Sequence, residues 1–153
     1  KQVQAGADVV QIFDSWANIL DSKQLNDLSL SYIKSLITAL KQDPVTSNIP
    51  IILFAREPSC NSRTLIETSA DCISLYWSMN DFDIDLARGK TALQGNLDPK
   101  ILLESDVIIK NETYKILDRF KDFPGYIFNL GHGLTPDINS EKVKYLTEIV
   151  REF

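Results

Sequence analysis

The 153-residue chain has little histidine, little cysteine and no surplus of positive charge. It contains one His and two Cys, and its 16 Lys and Arg against 21 Asp and Glu leave a formal net charge of -5. Nothing resembles the basic stripe that phosphate binding requires, so we expect no nucleic-acid partner. No apolar run approaches the roughly 18 residues of a membrane span, so no membrane span is expected either. An anionic ligand would need local positive charge.

The two cysteines, Cys60 and Cys72, are too few for a disulfide scaffold and lack the paired spacing of a zinc site. We expect buried free thiols, which suit a reducing compartment. One His is too few for a metal cluster, and neither a GxxxxGK[ST] nor a GxSxG motif occurs. The chain shows no linker or repeat, so we expect one domain or part of one. Because it begins with Lys1 rather than Met, it is expected to belong to a longer polypeptide.

Five nearly continuous apolar runs predict strands, at residues 8–13, 49–56, 72–77, 91–95 and 126–131. Such runs are typical of parallel strands that are covered on both faces. Helical patterns lie between them, which gives five βα units, a parallel sheet and right-handed crossovers. A doubly wound sheet and part of a (β/α)8 barrel both fit this pattern.

The predicted helices have apolar stripes and capping residues. Asp21 and Gln24 form a possible capping pair for the first helix, which Pro44 ends. Its stripe comprises Leu25, Leu28, Ile33, Leu36, Ile37 and Leu40. A second stripe comprises Ile109, Thr113, Ile116, Leu117 and Phe120. A third, capped by Asn139 or Ser140, comprises Val143, Leu146, Ile149, Val150 and Phe153. Short helices fit residues 62–68 and 81–87.

Polar residues at the carboxyl ends of the strands are the candidates for function, because ligands bind there in both architectures. The first strand ends in "FDSW", the fourth in "QGNLDP" and the fifth in "NLGHG", which places His132 between two glycines. Alternatively, His132 is a turn imidazole bonded to a neighbouring carbonyl, and Ser15 is a turn hydroxyl. Asp98 is expected mainly to cap a helix that starts at Pro99.

Three segments, "AGADVVQIFDSW" (5–16), "ALQGNLDP" (92–99) and "FNLGHGLTPD" (128–137), resemble the uroporphyrinogen decarboxylase family in order and spacing. The resemblance covers essentially the whole chain but only the carboxyl-terminal part of the family's length. It implies an α/β fold, in which residues 1–153 form about five βα units of a single (β/α)8 TIM barrel domain that lacks its amino-terminal part. A complete barrel of this type has about 250 residues.

The resemblance implies cofactor-free removal of CO₂ from the four acetate side chains of uroporphyrinogen III, which gives coproporphyrinogen III for haem and other tetrapyrroles. A protonated pyrrole ring accepts the electrons as CO₂ leaves, and the enzyme holds carboxylates, stabilises the cation and places proton donors. Three residues carry over: Phe13 and Ser15 as substrate contacts, and His132 as a substrate contact and catalytic residue. Asp14 matches an acid in relatives, with no clear role. No metal is implied.

Two stretches depart from the family's usual pattern. Relatives commonly read "GLDWT" where this chain has "SLYWS", so Tyr76 replaces an acid, and "REPSC" (56–60) replaces a small glycine-containing stretch. The family's arginine-rich segment, central aspartate and midway tyrosine have no counterpart here.

Two other functions remain as alternatives. One is a cobamide-dependent methyltransferase of the same barrel superfamily, which would hold zinc with His and Cys. The other is a non-catalytic fragment, the state expected of the isolated chain. The family often forms homodimers, and a cytoplasmic location is expected, with a plastid left open.

Overall fold

The computed structural model describes residues 1–79 and 82–153, which form one five-stranded parallel sheet with helices between the strands. The strands are β1 (Val10–Asp14), β2 (Ile51–Ala55), β3 (Cys72–Ser74), β4 (Ala92–Gln94) and β5 (Tyr126–Ile127). The helices are α1 (Ser22–Leu25), α2 (Ser31–Gln42), α3 (Ser62–Ile66), α4 (Ile84–Ala87), α5 (Asp106–Phe120) and α6 (Ser140–Glu152). Four strands lie inside their predicted apolar runs, and β1 extends one residue beyond its run, to Asp14.

The spatial order of the strands, β1-β2-β3-β4-β5, is the same as their order in the chain. A doubly wound sheet reverses direction at a switch point, whereas a barrel adds each new strand on the same side. The structure therefore decides between the two predicted architectures in favour of part of a (β/α)8 barrel. An isolated parallel bridge between Leu97 and Leu130 continues the β4–β5 pairing toward the carboxyl ends.

The helix-covered face of the sheet carries the larger core. One row of paired residues crosses all five strands on this face: Ile12, Leu53, Ile73, Leu93 and Tyr126. These side chains pack with buried residues of the helices, including Leu25, Ile37 and Leu65. The opposite face would line the interior of a barrel, and its paired row is Phe13, Phe54, Ser74, Gln94 and Ile127.

The first predicted helix is interrupted by a π-helical turn, Asn26–Leu30, between α1 and α2. Its start is confirmed, because the Asp21 carboxylate accepts from the Gln24 N–H at 2.8 Å and the Gln24 side chain accepts from the Asp21 N–H at 3.2 Å. The inward stripe was partly wrong: Leu28 and Leu36 are 63% and 47% exposed. A π-helical turn bonds residue i to i+5, so Leu30 instead of Leu28 follows Leu25 into the core.

A second, smaller core joins the carboxyl end of β4 to the last two helices. It contains Leu97, Leu102, Ile109, Leu146 and Ile149. Asn139 caps α6 by accepting from the Glu141 N–H at 2.9 Å, as predicted. Phe153 was expected on the inner face of α6, but it is 53% exposed, and its ring lies 5.4 Å from that of Tyr114 between the centroids.

The two short helices are shorter than predicted. The helix expected at 62–68 is observed as Ser62–Ile66, capped by Asn61. The first residue of the helix expected at 81–87 lies outside the described part of the chain, as does residue 80 before it. Its described portion, Ile84–Ala87, is capped by Asp83.

Candidate functional site

A cleft of about 340 Å³ lies on the barrel-interior face of the sheet, toward the carboxyl ends of the strands. It brings together Phe13, Ser15 and His132, the three residues that were singled out as substrate contacts. Phe13 lies in β1 and Ser15 directly follows this strand, whereas His132 lies on the loop after β5, at the other edge of the sheet. Its lining residues are Gln11, Phe13, Ser15, Phe54, Ser74, Gln94, Asn129, Leu130, His132 and Gly133.

The end of β1 divides its side chains between the cleft and the helical layer. Phe13 is 65% exposed and touches Phe54 on the cleft side, with 5.9 Å between the ring centroids. Asp14, whose role was open, faces the helices, where its carboxylate accepts from the Ser29 hydroxyl at 2.5 Å and the Trp16 N–H at 3.3 Å. Asp14 therefore fixes the turn that presents Ser15, an exposed residue on the cleft.

His132 lies on the loop after β5 and rests against two aromatic rings. Its ring centroid is 5.8 Å from that of Tyr76, with an interplanar angle of 87°, and 6.3 Å from that of Phe54. In the alternative interpretation, His132 is a turn imidazole bonded to a neighbouring carbonyl. Its Nδ1 does lie near the Gly133 carbonyl oxygen, but the distance of 3.4 Å is too long for a strong hydrogen bond. The imidazole is exposed on the cleft.

The loop that carries His132 is pressed against the backbone at the end of β3. A Cβ on Gly131 would lie 2.3 Å from the Trp77 nitrogen and 2.5 Å from its Cα. The β3 end is held from the other side, because the buried Asn96 amide donates to the Tyr76 carbonyl at 3.2 Å. Tyr76, the residue that departs from the family pattern, thus forms part of a rigid support for His132.

We expect Gly131→Ala to destabilise the protein, because a Cβ would overlap the Trp77 backbone, which cannot move like a side chain. Overpacking of this kind costs about 1–3 kcal/mol. Urea denaturation of the complete protein measures the loss of free energy of unfolding. Gly133→Ala is the matched control, since a Cβ there meets nothing within 4 Å; equal stability of the two variants would contradict the tight contact.

The floor of the cleft holds polar side chains that the sequence analysis did not single out. Gln94 is buried and donates from Nε2 to the Ser74 hydroxyl at 3.0 Å, across neighbouring strands. The sequence feature that could have indicated them is a polar residue inside an apolar run: Ser74 in the run 72–77 and Gln94 in the run 91–95. Asp98, by contrast, has the capping role expected of it, accepting from the Lys100 N–H at 2.9 Å.

Burial keeps both cysteine thiols protonated near neutral pH. It raises the pKa of Cys60 to about 11 and that of Cys72 to about 12, where the charge of Asp71 adds to the effect. Cys72 is buried as predicted, whereas Cys60 is only partly so. In residues 1–79 and 82–153, no three His, Cys, Asp or Glu side chains are grouped to hold a metal ion. No helix in the same residues is long and apolar enough to cross a membrane.

Comparison with known proteins gives a match over the full chain. The family model described as uroporphyrinogen decarboxylase (URO-D) matches residues 1–153. Among curated proteins, the chain is 39% identical over 152 residues to a uroporphyrinogen decarboxylase of Alcanivorax borkumensis, covering 99% of this chain and 43% of that protein. It is 40% identical over 153 residues to the one from Aquifex aeolicus, covering 100% of this chain and 44% of the relative. The chain thus spans less than half the length of these relatives.

Among solved structures, a methyltransferase from Methanosarcina mazei has the same fold. The TM-score is 0.74 at 19% sequence identity, and the match covers 99% of this chain and 44% of the methyltransferase. At this identity the likeness concerns the fold alone.

Proposed function

Because the chain belongs to the uroporphyrinogen decarboxylase family, we propose that the protein containing it removes CO₂ from the acetate side chains of uroporphyrinogen III, without a cofactor, to give coproporphyrinogen III. The observation that carries this proposal is the convergence of Phe13, Ser15 and His132 on one cleft. Two of the segments that resemble the family, one at each end of the sheet, supply these residues.

Each of the three residues has a role that its surroundings support. Phe13 offers an exposed aromatic ring for a pyrrole to pack against, and the ring is braced by Phe54. The Ser15 hydroxyl, free of any hydrogen bond to the described residues, donates to a substrate carboxylate. The imidazole of His132 binds a second carboxylate and assists in delivering the proton that replaces CO₂.

The rest of the barrel is proposed to come from polypeptide outside these 153 residues. In the described part of the chain, the outer edges of β1 and β5 have no strand partner, and a barrel has no free edges. The additional polypeptide would supply the cationic groups that the family resemblance places upstream. A homodimer and a cytoplasmic location remain predictions from the family.

The decarboxylase proposal is tested with the complete protein and uroporphyrinogen III under anaerobic conditions. We expect coproporphyrinogen III, with four molecules of CO₂ released per substrate and no dependence on added metal or cobamide. Methyl transfer from a cobamide, with no CO₂ released, would instead favour the methyltransferase alternative. Activity in neither assay would favour a non-catalytic protein.

We expect Ser15→Ala to weaken substrate binding modestly while leaving the fold intact. One net hydrogen bond contributes about 0.5–1.5 kcal/mol, and more if it meets a buried carboxylate. The measurement is the KM for uroporphyrinogen. Ser35→Ala is the control, because among the described residues that hydroxyl donates only to the Ser31 carbonyl of its own helix. An unchanged KM and kcat in Ser15→Ala would make Ser15 only a turn residue.

A further inference from the structure

Arg56 is a cation at the carboxyl edge of the sheet to which no role has been given. It directly follows β2, and its backbone N–H donates to the Asp14 carbonyl at 3.0 Å, which places it beside Ser15. In the described part of the chain it is the one Lys or Arg among the first two residues after any strand. It is therefore the basic residue closest in sequence to the strand ends at which the cleft opens.

The guanidinium of Arg56 has no partner within residues 1–79 and 82–153. Its Nε is shielded from solvent and makes no hydrogen bond, and Arg56 forms no ion pair with a described residue. A buried N–H without an acceptor is unfavourable and is rare in folded proteins. The terminal nitrogens of this half-buried side chain are not shielded in the same way, so they are the groups that an incoming carboxylate would reach.

The two acids next to Arg56 are engaged elsewhere. Asp14 accepts from the Ser29 hydroxyl and the Trp16 N–H. Glu57 accepts from the Ser78 hydroxyl at 3.0 Å, and its φ of 45° turns the chain away from the strand direction. Neither carboxylate forms an ion pair with Arg56, so the guanidinium is able to form one with a ligand.

Arg56 is also on the appropriate side of the sheet. Side chains alternate along a strand, so a residue two positions beyond Phe54 continues the row that faces the barrel interior. Phe54 itself lines the cleft and touches both Phe13 and His132. Arg56 is not itself among the residues that line the cleft, so its side chain would reach a ligand from beside Ser15, at the edge formed by β1 and β2.

We propose that Arg56 is a carboxylate-binding residue of this cleft, holding an acidic side chain of the substrate at the edge formed by β1 and β2. This inference rests on the proposed function, because uroporphyrinogen is a polycarboxylate whose acidic side chains need cationic partners in the cleft. A guanidinium binds a carboxylate through two parallel N–H bonds, a geometry that lysine cannot reproduce.

The test compares Arg56→Gln, Arg56→Lys and the control Lys100→Gln in the complete protein. Lys100 is an exposed residue on the turn after β4, so its replacement removes the same charge near the same edge. We expect Arg56→Gln to raise the KM for uroporphyrinogen about 10- to 100-fold, the loss expected for a charge-assisted hydrogen bond, with a smaller change in kcat. Arg56→Lys should fall between wild type and Arg56→Gln, and Lys100→Gln should match wild type.

A KM in Arg56→Gln that equals that of Lys100→Gln would overturn the proposal. If Arg56→Gln does not fold, Arg56→Lys keeps the charge and most of the side chain, and a wild-type KM there would overturn it equally. The proposed function can fail separately, when the wild-type protein does not decarboxylate uroporphyrinogen. In that case citrate is titrated into the wild-type protein while the NMR signal of the Arg56 Nε–H is followed. This signal is assigned by its loss in Arg56→Lys. A saturable shift of the signal supports a carboxylate site at Arg56, and the absence of a shift rejects it.

Discussion

Replacing His132 with Asn in the complete protein should lower kcat about 100-fold or more, the range for losing a positioned proton donor or acceptor. Asparagine keeps a polar group near the position of Nδ1, but its amide cannot act as a general acid or base near neutral pH. The fold should be unaffected, because the His132 side chain is exposed on a loop and belongs to neither hydrophobic core. Steady-state kinetics and a thermal melt of the same preparation measure the two quantities.

The control for this substitution is Leu134→Ala, a change two residues away on the same loop. Leu134 is 49% exposed and does not line the cleft, so its replacement should leave kcat unchanged. Normal turnover in His132→Asn would remove the catalytic role. A large fall in melting temperature would instead show that the imidazole contacts with Tyr76 and Phe54 are structural.

The second large effect concerns the 153 residues expressed alone, which should lack decarboxylase activity and should not unfold cooperatively as a monomer. Both edge strands of the described sheet present unpaired backbone groups, which promote association with other chains. The barrel-interior face adds apolar exposure, since Phe13 and Ile127 are 65% and 46% exposed. Sedimentation and urea denaturation of the isolated chain test this expectation.

Supplying the remainder of the barrel as a separate polypeptide is the matched experiment. We expect co-expression of the two parts to yield a soluble complex with activity, because the added strands would pair with β1 and β5. A monomeric 17.3 kDa species that unfolds in one cooperative step and decarboxylates uroporphyrinogen on its own would contradict the argument.

The sequence predicted all five strands, because parallel strands that are covered on both faces leave long apolar runs. It did not determine their spatial order, because a barrel and a doubly wound sheet use the same βα unit. It also missed the π-helical turn at Asn26–Leu30, where the five-residue spacing from Leu25 to Leu30 replaces the expected Leu25 and Leu28 pair. The prediction of an apolar stripe assumes one constant helical periodicity. One additional residue in a turn moves all the following residues to a different face of the helix.

At the cleft, residues on loops were easier to find than residues on strands. Ser15 and His132 stand out as polar residues at strand ends. Phe54 and Tyr76 lie inside predicted apolar runs, and a fully apolar strand does not reveal which of its faces looks into the barrel. Arg56 could not be singled out from the sequence, because its proposed role depends on the hydrogen bonds of Asp14 and Glu57. These two acids accept from Ser29 and Ser78, which are distant from them in the sequence.

The most direct test of the proposed substrate site is a crystal structure of the complete protein with coproporphyrinogen III bound under anaerobic conditions. We expect the tetrapyrrole in the cleft at the carboxyl ends of β1 to β5, with a pyrrole ring against Phe13 and side-chain carboxylates within hydrogen-bond distance of Ser15 and His132. A tetrapyrrole bound elsewhere, with these three residues facing only solvent, would contradict it.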